Sequence, residues 1–430
     1  MREMKYSRIE WVDAIPSNWS EKPFRVLFHE ITEKNRLGYY KNALKFTYGE
    51  IIPKSDFDAD TDDYVADTIL SYTVVTPGTI MINCLNLNYD FISQRIGLVK
   101  DKGIITSAYL AIKAFDINVV DERYANYQLK SFDSIKAFHN MGTGIRKTLG
   151  FDELGKKYFI LPSIQEQHRI ADFLDAKCAE IDALRADIEK EIETLEAYKK
   201  SVITEAVTRG LDPNVEMNDS GIEWIGKTPL TWTIVPLKYS FDIISGATPD
   251  STNSGLWDGD VIWVTPADFK TKDYYVFSGH RNISTLGYKS CSTTIVPVNS
   301  IIFSKRAPIG SVVINKTELC TNQGCLACIP KGKANVKFFY YIMSVCEDIF
   351  NLYGSGTTFK EISAAVFGNM RFQNPPIKEQ NAIVDFLDSK CSEIDAMISS
   401  KEKQINTLDT YKKSVIYEYV TGKKEVSQFV

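Results

Sequence analysis

The sequence predicts an α+β protein with an internal repeat, in which two mixed α/β domains are each followed by one long coiled-coil helix. Residues 164–205 match residues 377–418 without a gap, with 26 identities in 42 positions. Residues 7–19 match residues 220–232 at the same offset. Between these matching ends, about 140 residues in each copy differ almost throughout. A repeated frame around two different inserts predicts two modules of one fold with different surfaces.

The two matching C-terminal segments carry apolar residues at heptad spacing. An apolar residue at every seventh position over several heptads is typical of a coiled coil. From Leu174 to Val202 such a helix runs about 42 Å at about 1.5 Å per residue. Lys401 interrupts the second repeat where the first has Ile188. The predicted core positions are Leu174, Ile181, Ile188, Leu195 and Val202 in the first helix and Leu387, Ile394, Leu408 and Val415 in the second, with Leu184, Tyr198, Met397 and Tyr411 as companion core residues.

Each predicted helix begins behind a proline. Pro162 is followed by Ser163 and, three residues later, by Glu166, which is the spacing of a capping box. The second copy has two consecutive prolines at this place. A proline before a polar residue and an apolar run is a helix start signal, so both long helices are predicted to begin here.

The inserts alternate strand-like and helix-like segments. Predicted strands cover 79–82, 108–112, 261–264, 301–303 and 311–314, and predicted helices cover 122–139 and 336–352. The predicted domains are residues 1–160, a helix with its linker at 161–216, a second domain at 217–374 and a second helix at 375–430.

Composition argues against a membrane or secreted protein. The chain has 430 residues, 44% of them hydrophobic, and lacks a run of about 18 apolar residues. The first residues do not form the apolar core of a signal peptide. Eight scattered cysteines then indicate reduced thiols, and we expect a cytoplasmic protein.

Charge neither favours nor excludes nucleic acid. The net charge is −5. Residues 1–150 carry 19 Lys and Arg against 19 Asp and Glu, and residues 220–370 carry 13 against 11. Residues 165–216 carry 7 against 13, so the first helix is the acidic part. Phosphate contacts are therefore expected to be few or shared with a partner subunit.

One short motif has a catalytic interpretation. Asn374-Pro375-Pro376 begins the Asn-Pro-Pro-aromatic tetrad with which amino-methyltransferases hold a flipped base, but the fourth residue here is Ile377. An isoleucine offers no ring to stack on that base. The first copy has a plain helix start at the matching place, so a helix cap is the favoured interpretation.

A second motif has a metal-binding interpretation. Cys320, Cys325 and Cys328 have part of the spacing of an iron–sulfur site. The last two align with Tyr109 and Ile112 on a predicted buried strand, where cysteine acts as a small apolar residue. The four histidines are dispersed, and the acidic run Asp56, Asp58, Asp60, Asp62 and Asp63 lacks calcium-loop spacing, so neither a metal site nor a catalytic site is predicted.

Polar residues next to predicted strands and in two glycine loops are candidate contacts to DNA. Arginine and lysine suit phosphates and guanine edges, and asparagine and glutamine suit adenine edges. For the glycine loops, a helix C-cap followed by a surface turn is an equally good interpretation. The candidates are Gln94, Arg95, Arg146, Lys147, Lys305, Arg306, Asn322, Gln323, Thr358 and Lys360.

Two copies of Pro-x3-Glu-Gln-x2-Ile-x2-Phe-Leu-Asp, each leading to Tyr-Lys-Lys-Ser-Val-Ile, resemble the specificity subunit of type I restriction–modification enzymes. The paired Ile-Glu-Trp openers at residues 9–11 and 222–224 resemble the module starts of the same family. The resemblance spans essentially the whole chain. It implies two target-recognition domains, each reading half of a gapped double-stranded DNA site, and two helices packed antiparallel as a spacer between them.

The resemblance also implies partners. Two methyltransferase subunits are expected to dock on this chain, with motor and nuclease subunits added for cleavage. S-adenosylmethionine, ATP and Mg²⁺ are expected on those partner subunits, and this chain is expected to be non-catalytic and to hold no cofactor. A helix of about 42 Å spans roughly a dozen base pairs, so half-sites of three to four base pairs leave a gap of about six to eight.

Other interpretations stay open at this point. The neutral inserts also fit a coiled-coil scaffold that does not bind DNA, and related modification systems outside type I use similar two-domain subunits. A fused methyltransferase with a degenerate motif is a third interpretation, which Ile377 and the missing cofactor loop disfavour.

Overall fold

The structure, a computed structural model, describes residues 2–54, 68–85, 87, 94–139, 141–142, 147–269, 274–306, 308–355 and 360–426. Its contacts divide the chain into two units. Unit one comprises Met1–Glu189 and Glu402–Val430, and unit two comprises Lys190–Lys401. Each long helix thus contributes one half to each unit, and the predicted domain boundaries, which set the helices apart as segments of their own, stay a prediction.

Unit one begins with short strands, continues with a small sheet and one packed helix, and ends at the start of the first long helix. Its elements are β1 Met4–Tyr6, β2 Ala14–Pro16, β3 Ser20–Pro23, α1 Phe24–Leu27, β4 Phe28–Glu30, β5 Leu44–Thr47, β6 Glu50–Pro53, β7 Thr73–Val75, β8 Ile80–Ile82, β9 Ile96–Leu98, β10 Gly103–Ile105, β11 Leu110–Ala114, α2 Glu122–Ser134, α3 Phe151–Leu154, β12 Tyr158–Leu161 and α4 Ile164–Arg209.

The main sheet of unit one is antiparallel in the order β4, β11, β8, β9. Its strands are short and rich in β-branched residues, and Ile112 pairs with Glu30 on one side and Ile80 on the other. Helix α2 packs on this sheet through residues such as Leu129 and Phe132, which are fully buried. The pairs β1–β2, β3–β12, β5–β6 and β7–β10 complete the unit.

Unit two repeats this plan with a larger sheet. Its elements are β13 Met217–Asp219, β14 Lys227–Pro229, β15 Thr233–Pro236, β16 Phe241–Ser245, β17 Trp257–Val261, β18 Trp263–Val264, β19 Tyr275–Val276, α5 Thr285–Ser290, β20 Ile301–Ser304, β21 Val312–Asn315, β22 Cys320–Thr321, β23 Cys325–Pro330, α6 Val336–Ser344, α7 Glu347–Tyr353, α8 Ala364–Asn369, β24 Arg371–Asn374 and α9 Ile377–Val420, with 3₁₀ turns at Leu237–Tyr239, Ser254–Leu256 and Pro266–Asp268.

The main sheet of unit two has the order β16, β23, β20, β21, β19, with β19 parallel to β21 and the other pairs antiparallel. Phe303 of β20 stacks on Phe367 of α8 with ring centroids 4.2 Å apart. Two predicted elements are wrong. The strand expected at 261–264 is divided between β17, which ends at Val261, and β18, which begins at Trp263. The single helix expected at 336–352 is two helices, α6 and α7, because the chain turns at Val345 and Cys346.

The helices α2 and α6 are fixed to the starts of the long helices in the same way. Asp121 and Asn335 cap α2 and α6, their side chains accepting two backbone N–H groups each. The backbone N–H of each cap residue in turn donates to a glutamine on a long helix, Gln167 Oε1 at 3.0 Å and Gln380 Oε1 at 2.9 Å. The repeated Glu-Gln motif therefore anchors each insert to its frame.

The predicted capping box at the start of α4 is only half formed. The Ser163 side chain accepts from the backbone N–H of Glu166 at 3.3 Å. The Glu166 carboxylate, however, accepts from the indole of Trp19 at 2.9 Å and from Arg2. A buried indole N–H needs an acceptor, and Glu166 provides it. The glutamate therefore links the start of α4 to Trp19 instead of completing the helix cap.

Both long helices pair antiparallel within each unit. In unit one, Lys412 Nζ lies 2.6 Å from Asp182 Oδ1, and in unit two, Lys199 Nζ lies 2.7 Å from Asp395 Oδ1. Each pair is the repeat of the other at an offset of 213 residues. In unit two, Lys401, which interrupts the heptads, is paired with Glu191 at 2.5 Å.

The buried stripe of the long helices differs from the predicted one. Six of the nine predicted core residues are buried, namely Leu174, Ile181, Ile188, Leu387, Ile394 and Val415. The other three are half-buried, namely Leu195, Val202 and Leu408. The predicted companions three residues further on are exposed: Leu184 is 48% and Tyr198 is 49% exposed, and Met397 and Tyr411 are similar. The second buried row instead follows four residues later, at Cys178, Ala206, Cys391 and Ile398, because each helix half packs on its globular domain as well as on the other helix.

Candidate nucleic-acid interface

The polar candidates of unit two gather at one end of its main sheet. Strands β16 and β20 end at Ser245 and Ser304, and β23 begins beside them, with Ser245 opposite Leu326 and Ser304 opposite Cys325. The loops that leave this end carry Lys305, Arg306, Asn322 and Gln323. We refer to Ser245, Thr248, Lys305, Arg306, Asn322, Gln323 and Glu361 as the sheet end of unit two.

A glutamate holds the two adjacent cations of this sheet end. Glu361 lies 2.9 Å from Lys305 Nζ and 2.8 Å from Arg306 Nε. Burial raises the pKa of Glu361, but the hydrogen bonds from Lys305 and Arg306 outweigh it and hold that pKa below its usual value. Lys305 is largely buried and also donates to Ser245 Oγ at 3.2 Å, whereas Arg306 is exposed.

The turn before β23 presents an amide side chain to solvent. Asn322 Oδ1 accepts from the backbone N–H of Gly324 at 2.9 Å, which shapes the turn. Gln323 at its tip is exposed, and its Oε1 accepts a hydrogen bond from the Thr248 hydroxyl. A Cβ on Gly246 would stand 2.1 Å from the Thr321 carbonyl oxygen, so only glycine lets the two loops come this close.

The remaining candidates of unit two lie in the second glycine loop. Lys360 is exposed, and its Cβ would be 3.4 Å from a Cβ added at Gly354. Thr358 lies outside the described residues. The loop therefore brings at least Lys360 to the neighbourhood of Glu361 and the sheet end.

In unit one, the structure separates the paired candidates Gln94 and Arg95. Gln94 is exposed beside the β5–β6 turn. Arg95 is 4% exposed, and its guanidinium donates to the carbonyls of Asn83 and Leu85 at 3.0 and 2.8 Å. A buried guanidinium bonded to two backbone carbonyls of one loop holds that loop together, so this geometry favours a structural role over the predicted contact with a base edge.

The first glycine loop is only partly described. Lys147 is half-buried, and its backbone has a φ of 37°, an uncommon conformation for a side-chain-bearing residue. Its carbonyl accepts from the backbone N–H of Leu87 at 3.2 Å. Arg146 lies outside the described residues, as does the acidic run from Asp56 to Asp63.

The sequence reasoning missed a polar cluster at the equivalent end of the sheet of unit one. Lys34 Nζ donates to Ser107 Oγ at 2.6 Å and to Thr73 Oγ1 at 3.1 Å. Ser107 is exposed and donates to the Ser71 carbonyl at 2.6 Å. These residues share no motif and come from three separate segments of the chain, so no sequence pattern signals the cluster.

A second cluster in unit two was also missed. Asp268 accepts from the backbone N–H groups of Thr265 and His280, both at 2.8 Å, and lies 3.0 Å from His280 Nδ1. Burial raises the pKa of Asp268, but these hydrogen bonds outweigh it and lower that pKa. The guanidinium of Arg281, which follows His280 in the chain, lies over the Trp257 ring at 4.3 Å from its centroid.

The three cysteines of the candidate metal motif are buried, and the Asn-Pro-Pro motif lies at the start of α9. Burial raises the pKa of Cys320 to about 11, and it raises the pKa of Cys325 and Cys328 well above the usual range. Among the described residues, no group of three or more His, Cys, Asp or Glu could hold a metal ion. Asn374 ends β24, and its Oδ1 accepts from Gln380 Nε2 at 3.1 Å at the start of α9.

The long helices carry an exposed face that is identical in both units. Five residues at helical spacing, i, i+4, i+8, i+11 and i+15, recur at the offset of 213. All are exposed except the half-buried Glu418. In unit two, a cavity of about 630 Å³ opens beside this face and is lined by Ser201, Glu205 and Trp224 among others. The shared helix face comprises Lys190, Thr194, Tyr198, Ser201 and Glu205 in unit two and Lys403, Thr407, Tyr411, Ser414 and Glu418 in unit one.

The searched helices, those of the described part of the chain, include none long and apolar enough to cross a membrane. Their longest members, α4 and α9, alternate charged and apolar residues throughout.

Comparison with solved structures supports the fold. A chain from a structure described as "Structural basis underlying complex assembly and conformational transition of the type I R-M system" matches with a TM-score of 0.70 and 17% identity, over 95% of this chain and 99% of that one. The HsdS subunit of Thermoanaerobacter tengcongensis matches with a TM-score of 0.51 and 16% identity, over 97% and 100%. The predicted α+β class, with two domains and long helices, is confirmed.

Comparison of sequences identifies the family. Two named relatives come from Methanocaldococcus jannaschii. The type I restriction enzyme MjaIX specificity subunit is 34% identical over 189 residues, 43% of this chain and 43% of that protein. The MjaX specificity subunit is 26% identical over 441 residues, 99% of this chain and 98% of that protein. The model of the type I restriction modification DNA specificity domain matches residues 39–194 and 229–408. The chain therefore belongs to the family of DNA specificity subunits of type I restriction–modification systems.

Proposed function

We propose that each unit of this specificity subunit reads one half of a gapped double-stranded DNA target. One observation carries the proposal: the two units share their anchoring contacts, whereas the polar side chains at their sheet ends differ. Gln167 and Gln380 each accept the backbone N–H of the cap residue of the packed helix. At the sheet ends, by contrast, unit one has the pair Lys34–Ser107, and unit two has the pair Thr248–Gln323. Because base-edge contacts depend on the side chain, different sheet ends imply different half-sites.

A module exchange tests this assignment. Residues 7–150 are replaced by the corresponding insert of another specificity subunit, and the methylated motif is read by methylation-aware sequencing. The expected result is a change in one half of the motif while the other half and the gap persist. Changes in both halves, or in neither, would show that the units do not read separate half-sites.

We assign the spacing of the half-sites to the long helices. At about 1.5 Å per residue, Leu174 to Val202 corresponds to about 42 Å, which leaves a gap of about six to eight base pairs. Inserting seven residues after Glu189 and seven after Glu402 keeps the heptad register of both helices. The insertion adds about 10 Å, so the gap should lengthen by about three base pairs; an unchanged gap would contradict the spacer role.

We assign the docking of methyltransferase subunits to the shared helix face. A surface needed only for folding would not require identical exposed residues in both units, because exposed positions tolerate substitution. Two copies of one face fit two copies of one partner. Tyr198 and Tyr411 offer half-exposed rings of the kind that anchor interfaces.

A binding experiment with a matched control tests the docking site. Complexes with the methyltransferase are weighed by native mass spectrometry for Tyr198→Ala, Tyr411→Ala and the double variant. Each single variant should retain one partner and the double variant none. Glu193→Ala with Asn406→Ala alters exposed residues that differ between the copies, and it should retain both partners. Two partners on the double tyrosine variant would place docking elsewhere.

We also propose that the chemistry resides on partner subunits. S-adenosylmethionine would bind the methyltransferase, and ATP and Mg²⁺ would bind motor or nuclease subunits where these are present. Isothermal titration of the isolated chain with S-adenosylmethionine should give no binding, and the complex should bind it. Binding by the isolated chain would contradict a purely sequence-reading role.

A further inference from the structure

The turn before the last main strand occupies the same place in both units. Strands β11 and β23 each lie second in their sheet, between the first strand and β8 or β20. Leu110 and Leu326 correspond, because they pair with Ile82 and Phe303 at the same end of that neighbour. Three residues before each leucine stand Ser107 and Gln323, and both are exposed.

In both units this residue bonds to a side chain from the loop after the first main strand. Ile31, just after β4, and Ile244, near the end of β16, hold matching places before that loop. The Ile31 N–H bonds to the Ala111 carbonyl, and Ile244 pairs with the matching Ala327. Lys34 follows three residues after Ile31, and Thr248 follows four residues after Ile244. Lys34 Nζ donates to Ser107 Oγ at 2.6 Å, and the Thr248 hydroxyl donates to Gln323 Oε1.

The two pairs present different chemistry from equivalent positions. In unit one, an ammonium with three donors uses two of them on Ser107 and Thr73. Its remaining donor suits the O6 and N7 acceptors of guanine. In unit two, the hydroxyl of Thr248 orients the amide of Gln323, and glutamine suits the N6 donor and N7 acceptor of adenine.

The surroundings hold the unit two pair rigidly. Gly246 packs against the Thr321 carbonyl so closely that a side chain is excluded. A Cβ added at Gly324 would lie 3.1 Å from Asn322 Oδ1 and 3.5 Å from the Pro266 ring. A reading side chain needs such support, because loss of an ångström in placement loses a base contact.

We propose that two side-chain pairs at corresponding places determine specificity, namely Lys34–Ser107 in unit one and Thr248–Gln323 in unit two. Lys34 reads a guanine in one half-site, and Gln323 reads an adenine in the other. The proposal rests on the two-half-site function above and assigns one base to a residue in each unit. It also separates these pairs from Arg95, whose guanidinium is bonded to backbone carbonyls.

The test uses the complete chain with its methyltransferase subunits. Methylated motifs are mapped for wild type, Lys34→Ala, Gln323→Ala, Gln323→Ser and the control Lys289→Ala, which alters an exposed residue of α5. Discrimination at one guanine position should fall about 5- to 150-fold for Lys34→Ala, and at one adenine position of the other half for both Gln323 variants. The control should match wild type.

The outcomes distinguish failure of the reading pairs from failure of the proposed two-half-site function. A wild-type motif that is not in two parts contradicts the proposed function itself. A two-part wild-type motif with unchanged preference in the Lys34 and Gln323 variants overturns the reading pairs and leaves that function intact. Gln323→Ser introduces the residue that unit one has at this place, Ser107. It therefore provides a second measurement of the adenine preference if Gln323→Ala abolishes methylation.

Discussion

The indole nitrogen of Trp19 lies 2.9 Å from the Glu166 carboxylate, and the repeat reproduces this bond between Trp232 and Glu379 at 2.6 Å. Both bonds join residues 147 positions apart, across an entire insert. They therefore close each module on the start of its long helix. The insert between them can change its loops without moving the frame.

Loss of the first bond should cost more than loss of the second. Glu166 is 8% exposed, whereas Glu379 is exposed, so Trp19→Phe leaves a desolvated carboxylate with one partner fewer. We expect Trp19→Phe to lower the free energy of unfolding by about 1–3 kcal/mol and Trp232→Phe by about 1 kcal/mol or less. Urea unfolding of both variants measures the difference. Equal losses would show that burial of the carboxylate does not set the cost.

Each unit has a buried glutamine, on the packed helix in unit one and on the facing strand in unit two. In unit one, Gln128 on α2 bonds both backbone groups of Ile160 and the Tyr124 hydroxyl. In unit two, the helix position is Ile342 and the strand position is Gln373. Gln373 is fully buried, and both polar atoms of its side chain lack a hydrogen-bond partner among the residues that the structure describes.

Replacing each glutamine by the residue of the other copy should have opposite results. Gln128→Ile leaves the buried N–H of Ile160 without its acceptor and should destabilise unit one by about 1–3 kcal/mol. The Tyr124 hydroxyl keeps its bonds to the carbonyls of Ile160 and Val420. Gln373→Ile strands nothing and should be neutral or stabilising by about 1 kcal/mol. Urea unfolding compares the two. A large loss in Gln373→Ile would mean that this side chain has a buried partner such as water.

Release of the cations at the sheet end of unit two should strengthen DNA binding. Glu361→Gln removes the charge that holds Lys305 and Arg306. The methyltransferase complex should then bind DNA more tightly at low salt, with a salt dependence steeper by up to about 2 counterions. Gel shifts across salt concentrations measure both quantities.

A matched variant controls for the removal of an acidic charge. Asp242→Asn breaks the pair with Lys331 at 2.8 Å, at the opposite end of the same sheet. It should leave DNA affinity and its salt dependence unchanged. If Glu361→Gln weakens binding instead, the glutamate positions the two cations for their contact.

Acid should weaken unit two through Asp268. Its folded pKa is lowered, so its hydrogen bonds contribute stability above its unfolded pKa, and that stability is lost as pH falls through the folded pKa. Wild type should exceed Asp268→Asn in stability at pH 7, and the difference should shrink below about pH 4. Urea unfolding at several pH values measures this difference. A constant difference would mean that Asp268 does not titrate in this range.

Local patterns predicted the frame well. β-branched runs predicted strands such as those at Ile80–Ile82 and Ile301–Ser304, and the proline signals predicted both helix starts. These features depend on backbone preferences and on burial of one face, which repeat along the sequence. The row of companion core residues was wrong, because packing on the domains shifted the buried stripe to residues such as Cys178.

The side-chain pairs at the sheet ends could not be predicted, because their partners meet only through the fold. Gln323 was predicted as a DNA contact from its residue type, but its partner Thr248 was not. Lys34 and Ser107 are 73 positions apart, and Thr248 and Gln323 are 75 apart. Arg95 shows the opposite problem. Its residue type indicated a base contact, but whether a guanidinium faces solvent or bonds to backbone carbonyls depends on tertiary packing.

The most direct measurement is the methylated motif in cells with and without this chain. Methylation-aware sequencing should find one asymmetric motif in two parts, separated by about six to eight base pairs, that disappears when the gene is deleted and returns when it is restored. A continuous motif, or a two-part motif that persists after deletion, would contradict the claim that these two units choose where methylation occurs.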